Sequence, residues 1–272
     1  MTFIIAEIGV NHQGNSAVAR ALIDKAHFAG ADAVKFQTFS AEKLEPEGPR
    51  RRMLSGLELT KQDFAGLKEY AESRNLEFIS TPFSVDDLHF LQTLCVKKIK
   101  ISSGSLGDEK LLREAGNGPH QLIISTGMSN MARVKKAIGY TGRTMSEKIT
   151  LLHCTSSYPT PLDEVNLRAM LTLRNFFMCP VGLSDHTTSI YVPVAAAAMG
   201  ATVIEKHITL SRDMGGPDHH ASMEPGEFKE MVKGIRQVDV VMGEWEKKIQ
   251  PSEQPVIEVI RQREEHRCRL LY

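Results

Sequence analysis

Eight short apolar runs punctuate the chain, and a longer stretch with helically spaced apolar residues follows each one. The runs occupy residues 3–9 (FIIAEIG), 33–38 (AVKFQT), 77–81 (EFIST), 97–103, 121–126, 149–155, 181–186 and 202–207. They are short, rich in apolar and β-branched residues, and bounded by turn formers, which is the signature of strands. The intervening spacing predicts helices near 15–29, 61–74, 85–94, 108–116, 130–141, 163–177, 188–199 and 226–241. In 163–177 the stripe is carried by Val165, Leu167, Met170, Leu171 and Leu173. Strict strand–helix alternation calls for parallel strands joined by helical crossovers. An open doubly wound sheet accommodates eight units, but a closed (β/α)8 TIM barrel, usually about 250 residues long, fits the 272-residue chain better. No Pro/Gly/Ser-rich linker divides the chain, so the pattern predicts one barrel domain over 1–272.

In such a barrel chemistry belongs at the C-terminal ends of the strands. The polar residues fall there: Glu7 on the first run, Lys35 and Gln37 on the second, Ser80-Thr81 on the third, and Lys100, Ser102 and Ser103 on the fourth. Ser125-Thr126, the segment His153–Ser157, Asp185-His186 and Glu205-Lys206-His207 close the next four. Period-two alternation sets Lys35 and Gln37 on one face and Val34 and Phe36 on the other. With the apolar face packed on helices, Lys35 enters the barrel mouth, where a buried ammonium requires a counter-charge. Glu7 is a candidate for that counter-charge at Lys35 or Lys100, and equally for a carboxylate that orients water or substrate hydroxyls.

Lys35 and Lys100, among the hydroxyls and glycine turns of SSGS (102–105) and STGMS (125–129), form a candidate phosphate cradle. Two ammonium groups offset a dianion, and hydroxyls and turn N–H groups meet its oxygens. The alternative is lysines reaching out to water beside ordinary turn serines. His186 and His207 end consecutive strands, so a barrel sets them side by side. Imidazole pairs suit Mn, Fe, Co or Zn better than Mg or Ca, and the alternative is two hydrogen-bonded rim histidines. His219 and His220 either add a ligand or sit exposed, with exposure the expectation, and His153 reads as a core histidine with a backbone partner. No GxSxG, Walker A or strand-following GxGxxG motif is present.

Composition narrows the partners. Lys plus Arg and Asp plus Glu both number 33, so the chain lacks the basic excess with which nucleic acid or membrane surfaces are met. The short basic runs Arg50-Arg51-Arg52 and Lys97-Lys98 read as solvated surface. No apolar run reaches the roughly 18 residues of a membrane span, and the N-terminal stretch resembles no signal peptide. Four cysteines, Cys95, Cys154, Cys179 and Cys268, are scattered without CxxC spacing. They read as reduced thiols in a cytoplasmic protein.

The segments AEIGVNHQGN, DAVKFQTF, FISTPFS, KIKISSGS, STGMSN, LHCTSSYPTP, GLSDHT, ATVIEKHITL and GPDHHASMEPGEFKEMV, in this order, resemble the sialic acid (N-acetylneuraminate) synthase family. The resemblance covers nearly the whole chain. It implies a (β/α)8 barrel that condenses phosphoenolpyruvate with an aldose, N-acetylmannosamine or a related amino sugar. The products are a 3-deoxy-nonulosonic acid and phosphate, with C–O cleavage of phosphoenolpyruvate and an aldehyde activated by a divalent metal. Mn2+ is the expected metal, with Mg, Co and Zn as alternatives, and the assembly a homodimer or other homo-oligomer.

Motif by motif, His186 and His207 match the metal ligands, and Lys35, Lys100, Thr81, Ser103, Ser125 and Ser184 match positions around phosphoenolpyruvate. Ser156 stands where members carry Asn, Ser or Thr. Glu7 matches the first-strand acid and Asp218 an aldose-hydroxyl contact, while Gln37, Phe83 and Tyr158 match other lining positions. Asp185, beside His186 in the same motif, is counted with the substrate-binding set. Three departures fall on the sugar side. The usual GSGE reads SSGS, with Ser105 in the acid's place; the segment after the second strand is short; and the C-terminal antifreeze-like domain is absent. The resemblance therefore fixes the reaction more firmly than the sugar. The alternatives are a synthase for a different, non-acetamido aldose and a non-catalytic sugar-binding barrel.

Overall fold

The computed structural model describes residues 1–45, 47–143 and 148–269. Eight strands, β1 (Phe3–Gly9), β2 (Ala33–Thr38), β3 (Glu77–Pro82), β4 (Lys98–Ile101), β5 (Gln121–Ser125), β6 (Ile149–His153), β7 (Val181–Asp185) and β8 (Val203–His207), pair in chain order into a closed barrel. All pairings are parallel, and β1 closes the ring on β8 with Glu7 opposite His207. The connecting helices are α1 (Ser16–Ala29), α2 (Ala41–Leu44), α3 (Pro49–Ser55), α4 (Lys61–Ser73), α5 (Val85–Thr93), α6 (Glu109–Asn117), α7 (Met131–Tyr140), α8 (Arg168–Phe177), α9 (Tyr191–Ala198) and α10 (Pro225–Val241). The barrel thus confirms the (β/α)8 expectation.

Helix starts are written into the sequence. The Asn15 side chain accepts the Ala17 and Val18 N–H groups, and Thr60 and Asp63 form a reciprocal capping box on α4. Ser84, Asp108 and Asn130 cap α5, α6 and α7 in the same manner, each such cap being worth about 1 kcal/mol. Outward strand residues such as Ile4, Val34, Phe36 and Phe78 share one apolar cluster with the helices. Inside the barrel, Ile5, Ala33, Ile79, Ile123, Leu152 and Val203 form a separate apolar floor.

Some boundaries differ from the pattern. The fourth strand stops at Ile101, because the Ser102 hydroxyl accepts the Ser105 N–H and opens a 3-10 turn over Ser103–Gly107. The helix expected over 163–177 is a 3-10 turn at Leu162–Glu164 followed by α8 from Arg168. Asn166 lies between them with φ 48°, a left-handed conformation that interrupts a helix and that Asn tolerates better than most residues. The sequence reading carries one domain through residue 272, whereas the barrel unit comprises Met1–Val240. A second unit begins at Val241 and contains a 3-10 turn at Pro251–Glu253 and α11 (Gln254–Arg269). Cys95, Cys154 and Cys179 are free thiols, while the Cys268 side chain lies outside the described residues.

Candidate active site

One step along each strand above the apolar floor, the inward positions turn polar. Two residues beyond Ile5 stands Glu7, beyond Ala33 stands Lys35, beyond Ile79 Thr81, beyond Ile123 Ser125, and beyond Val203 Glu205. The period of the strand therefore places the charged layer directly on the floor. Together with Lys100 and Ser184, these side chains line a cavity of ≈ 370 Å³ at the C-terminal mouth.

Glu205 is the hub of this layer. Its carboxylate lies 3.7 Å from Lys35 Nζ and 3.6 Å from Lys100 Nζ, and it accepts the Ser184 hydroxyl at 2.9 Å. Lys35 also pairs with Glu7 at 2.7 Å and donates to Thr81 Oγ1 at 3.2 Å. Both lysines are buried, which excludes the alternative that they reach out to water. The two carboxylates titrate apart. Burial lifts Glu7 from 4.5 to about 7, against the pull of Lys35. For Glu205 burial acts in the same sense but is outweighed by Lys100 and Lys35, which hold it below its usual value. Burial also lowers Lys100, with Lys35 adding to the effect, whereas Glu205 and Glu7 overcome burial at Lys35 and raise it. Pairs of acids driven apart in this way separate a proton carrier from a fixed charge.

The two predicted imidazoles stand on the neighbouring wall with ring centroids 5.6 Å apart. His186 Nδ1 meets the Thr155 carbonyl at 2.8 Å, so that nitrogen carries the proton and Nε2 keeps its lone pair. The Tyr158 ring packs 4.1 Å from the His186 ring. Burial lowers the pKa of His186 and drives that of His207 well below the usual value, with His186 and Lys35 adding to the effect at His207. Both rings are therefore neutral near pH 7, the form that ligates metals. His207 Nδ1 is buried without a hydrogen-bond partner, with Asp218 Oδ2 3.7 Å away. Among the described residues no group of three or more His, Cys, Asp or Glu side chains gathers for a metal. Two neutral nitrogen donors, one orphaned, fit a divalent transition metal whose remaining positions go to water or substrate oxygen.

Gly9, at φ 56°, lets a third group converge: a Cβ there would meet Glu7 Oε1 at 3.2 Å and Asp218 Oδ2 and Gln37 Nε2 at 3.3 Å. Burial raises Asp218 to about 6, opposed by Lys35. Opposite, Ser103 Oγ accepts the Gly127 N–H at 2.9 Å, and Ser125 Oγ is buried and unpartnered. Ser103 and Ser125 thus present hydroxyls to the same cavity as the two lysines.

The structure brings together Glu7, Lys35, Gln37, Thr81, Phe83, Lys100, Ser103, Ser125, Ser156, Tyr158, Ser184, His186 and His207. Three expected residues stand elsewhere. Asp185 is turned to the outside of the barrel wall, where it is spent on Lys206 and Thr187, because it alternates with the inward Ser184 and His186; it is no substrate contact. Ser105 sits behind Ser102, hydroxyl to hydroxyl at 2.9 Å, and only Ser102 lines the cavity. Asp218 approaches the edge through Gly9 and His207 without being part of the lining. His219, expected to be exposed, is buried against Thr209 Oγ1 at 2.7 Å, whereas His220 is exposed. His153 Nε2 donates to the Val165 carbonyl at 2.7 Å, the expected backbone partner. Sequence reasoning missed Glu205 as a site residue; the signal was its position two residues before His207, on the same face.

Comparison with known proteins gives a consistent picture. A family model described as the NeuB family matches residues 22–247. The N,N'-diacetyllegionaminic acid synthase of Legionella pneumophila is 44% identical over 278 residues, covering 95% of this chain and 78% of that protein. The human N-acetylneuraminate-9-phosphate synthase is 35% identical, covering 92% of this chain and 74% of that protein. A crystal structure of the sialic acid synthetase of Leptospira borgpetersenii in complex with citrate superposes with a TM-score of 0.87 at 34% identity. It covers 95% of this chain and 90% of that one.

Proposed function

This chain belongs to the NeuB family, and on that premise we propose that its barrel mouth joins phosphoenolpyruvate to a diacetamido, deoxygenated amino sugar. The reaction class is that of its relatives, transferases that condense phosphoenolpyruvate with a sugar to give an ulosonic acid. The carrying observation is the pair of buried lysines around Glu205, with the unpartnered Ser125 Oγ lining the same cavity. That array offers a phosphate and a carboxylate two fixed cations and open hydroxyl partners. The reading extends to a cytoplasmic protein, as the scattered reduced cysteines imply, and to a homo-oligomer, as the family resemblance implies; no helix among the described residues is long and apolar enough to cross a membrane.

Carbon 3 of phosphoenolpyruvate attacks the aldehyde carbon of the open-chain sugar, water adds at carbon 2, and phosphate leaves with the bridging oxygen. Lys35 and Lys100 hold the anionic groups through these steps and offset charge as it moves to the leaving phosphate. Glu7, lifted by burial to about 7, takes the proton of the adding water. Glu205 stays ionised and keeps both ammonium groups in place. His186 and His207 would hold a divalent metal, Mn2+ first and Mg, Co or Zn as alternatives, which when bound supplies Lewis acidity at the aldehyde oxygen.

The acceptor reading is supported by two relatives, 44% and 40% identical, that are N,N'-diacetyllegionaminic acid synthases, and by the neutral hydroxyl of Ser102 on the cavity wall, backed by Ser105. Without a carboxylate there, a sugar hydroxyl loses a charge-assisted hydrogen bond of roughly 1.5–3 kcal/mol, or roughly 10- to 150-fold in kcat/KM. The test is phosphate release from phosphoenolpyruvate with N-acetylmannosamine, mannose, arabinose and a diacetamido deoxyhexose, with and without excess chelator. The diacetamido sugar is expected to lead by at least about tenfold, and chelator to abolish turnover. N-acetylmannosamine as the best acceptor would reject the sugar assignment, full turnover in chelator the metal assignment, and no phosphate from any acceptor the synthase itself.

A further inference from the structure

Asp185 and Lys206 precede His186 and His207 and point the opposite way, out through the barrel wall. They lie opposite each other across β7 and β8, with side chains 2% and 0% exposed. Lys206 Nζ donates to Asp185 Oδ2 at 2.6 Å and to the Thr187 carbonyl. Asp185 Oδ1 accepts the Thr187 N–H at 3.0 Å, and Oδ2 accepts the Thr187 hydroxyl at 3.1 Å. The outward residues one step earlier, Leu183 and Ile204, belong to the apolar cluster. The ion pair therefore interrupts an apolar interface at the level of the imidazoles. A buried pair in such a place is commonly no more stabilising than apolar residues of the same volume, so stability alone gives it no purpose.

We propose that the Asp185–Lys206 pair, with Thr187, is a clamp on the back of the barrel wall that sets the spacing and aim of His186 and His207 for one shared divalent metal. The proposal rests on the reading of these histidines as metal-holding. Residues on both sides of His186 are fixed by the clamp, while its ring is held from the front by the Thr155 carbonyl and Tyr158. His207 lies between Lys206 and Ile208, whose N–H donates to the Glu7 carbonyl at 2.9 Å. The cross-strand link thus sits one residue from each imidazole and joins the two strands that carry them. Asp185, Lys206 and Thr187 are positioning residues: none lines the cavity. Groups hydrogen-bonded directly to metal ligands are typically worth about 10- to 100-fold in metal affinity, and a support one residue removed from each ring is expected to act at the lower end of that range.

The experiment titrates Mn2+ into the metal-free full chain by calorimetry and follows urea unfolding of each variant. The double variant Asp185→Leu/Lys206→Met removes both charges without altering net charge, so any change in affinity reports geometry rather than field. It is expected to unfold cooperatively and to bind Mn2+ at least about tenfold more weakly. Lys206→Met alone separates field from position: loss of a nearby cation would tighten Mn2+ binding electrostatically, whereas a broken clamp weakens it. Thr187→Val, which keeps the ion pair and removes one anchor, is expected to weaken binding by less, and it decides the matter if the other variants fail to fold. Dissociation constants that stay together across the folded variants, or tighter binding by Lys206→Met, would overturn the clamp while leaving the metal reading intact. Absence of Mn2+ binding by the unchanged chain would overturn both.

Discussion

Glu205 is the sole carboxylate within ion-pair distance of Lys100 and a second partner for Lys35 among the described residues. Removing one partner of a buried pair typically costs about 3–5 kcal/mol. For Glu205→Gln the lower figure is expected, because Lys100 is already lowered by burial and sheds its proton more readily. The missing charge is one that a bound anion restores, so inorganic phosphate should raise the melting temperature of the variant more than that of the unchanged chain. Equal melting temperatures in phosphate-free buffer would show that Glu205 is not the counter-charge. His12 gives a separate prediction. It is buried, accepts the Gly14 N–H at Nδ1 and packs by Phe36. Burial lowers it from 6.5 to about 4, against the opposing effects of the Gly9 carbonyl and Asp63. A histidine depressed in the fold contributes its full stability above 6.5 and loses it as pH falls towards 4, about 3 kcal/mol over that window. His12→Gln should therefore show a correspondingly smaller stability difference between pH 7 and pH 4 in urea titrations, and an unchanged difference would refute the assignment. At this scale the sequence disclosed residue types but not always their direction. Lys35 and Gln37 were readable as inward because Val34 and Phe36 are unmistakably outward. Asp185, Glu205 and Lys206 are charged residues beside charged or imidazole neighbours, and hydrophobicity says nothing about which of them turns in.

Strands and helices were legible because each strand is a compact apolar run and five of the helices, α1, α4, α5, α6 and α7, begin on a capping side chain. What escaped was set by contacts outside the element. Ser102 ends β4 through its own hydroxyl, Asn166 splits the segment before α8, and α2 and α3 are too short to show periodicity. One strand position is constrained by its neighbours alone. A Cβ on Gly182 in β7 would lie 2.1 Å from the Val203 carbonyl oxygen of β8 and 2.9 Å from Leu152 Cδ2 of β6. A backbone oxygen inside a ladder cannot retreat without opening that ladder. Gly182→Ala is therefore expected to lose about 3 kcal/mol, the upper end of ordinary overpacking. Because β7 and β8 carry His186 and His207, it should also weaken Mn2+ binding. Denaturant midpoints and Mn2+ titration of the same preparation check both effects, and a variant as stable as the unchanged chain would mean that the two strands yield independently.

At the scale of the whole molecule, the prediction concerns which part of the chain the fold requires. The eightfold alternation fixed the barrel, but periodicity has no term for where a compact unit stops; the expectation of one domain through residue 272 followed from the lack of a linker. All three apolar clusters are built from residues between Phe3 and Val238. The barrel closes at β8, and α10 supplies Phe228, Met231, Val232 and Ile235 to the core. Among the described residues none from Val241 on belongs to these clusters, so the barrel unit gathers from its own residues the apolar burial that offsets the entropy of ordering it. A chain ended after Gly243 should therefore keep a single cooperative transition, with a free energy of unfolding within about 1 kcal/mol of the full chain, since substitutions away from buried contacts seldom exceed that scale. The site makes the same demand, because the residues that line it run from Glu7 to His207; phosphate release by the shortened chain should match that of the full one. Calorimetry and the phosphate assay on the two chains give the answer. A transition lowered by many degrees would show that the fold requires the segment after Val240, and intact stability with lost turnover would assign that segment to catalysis rather than to the fold.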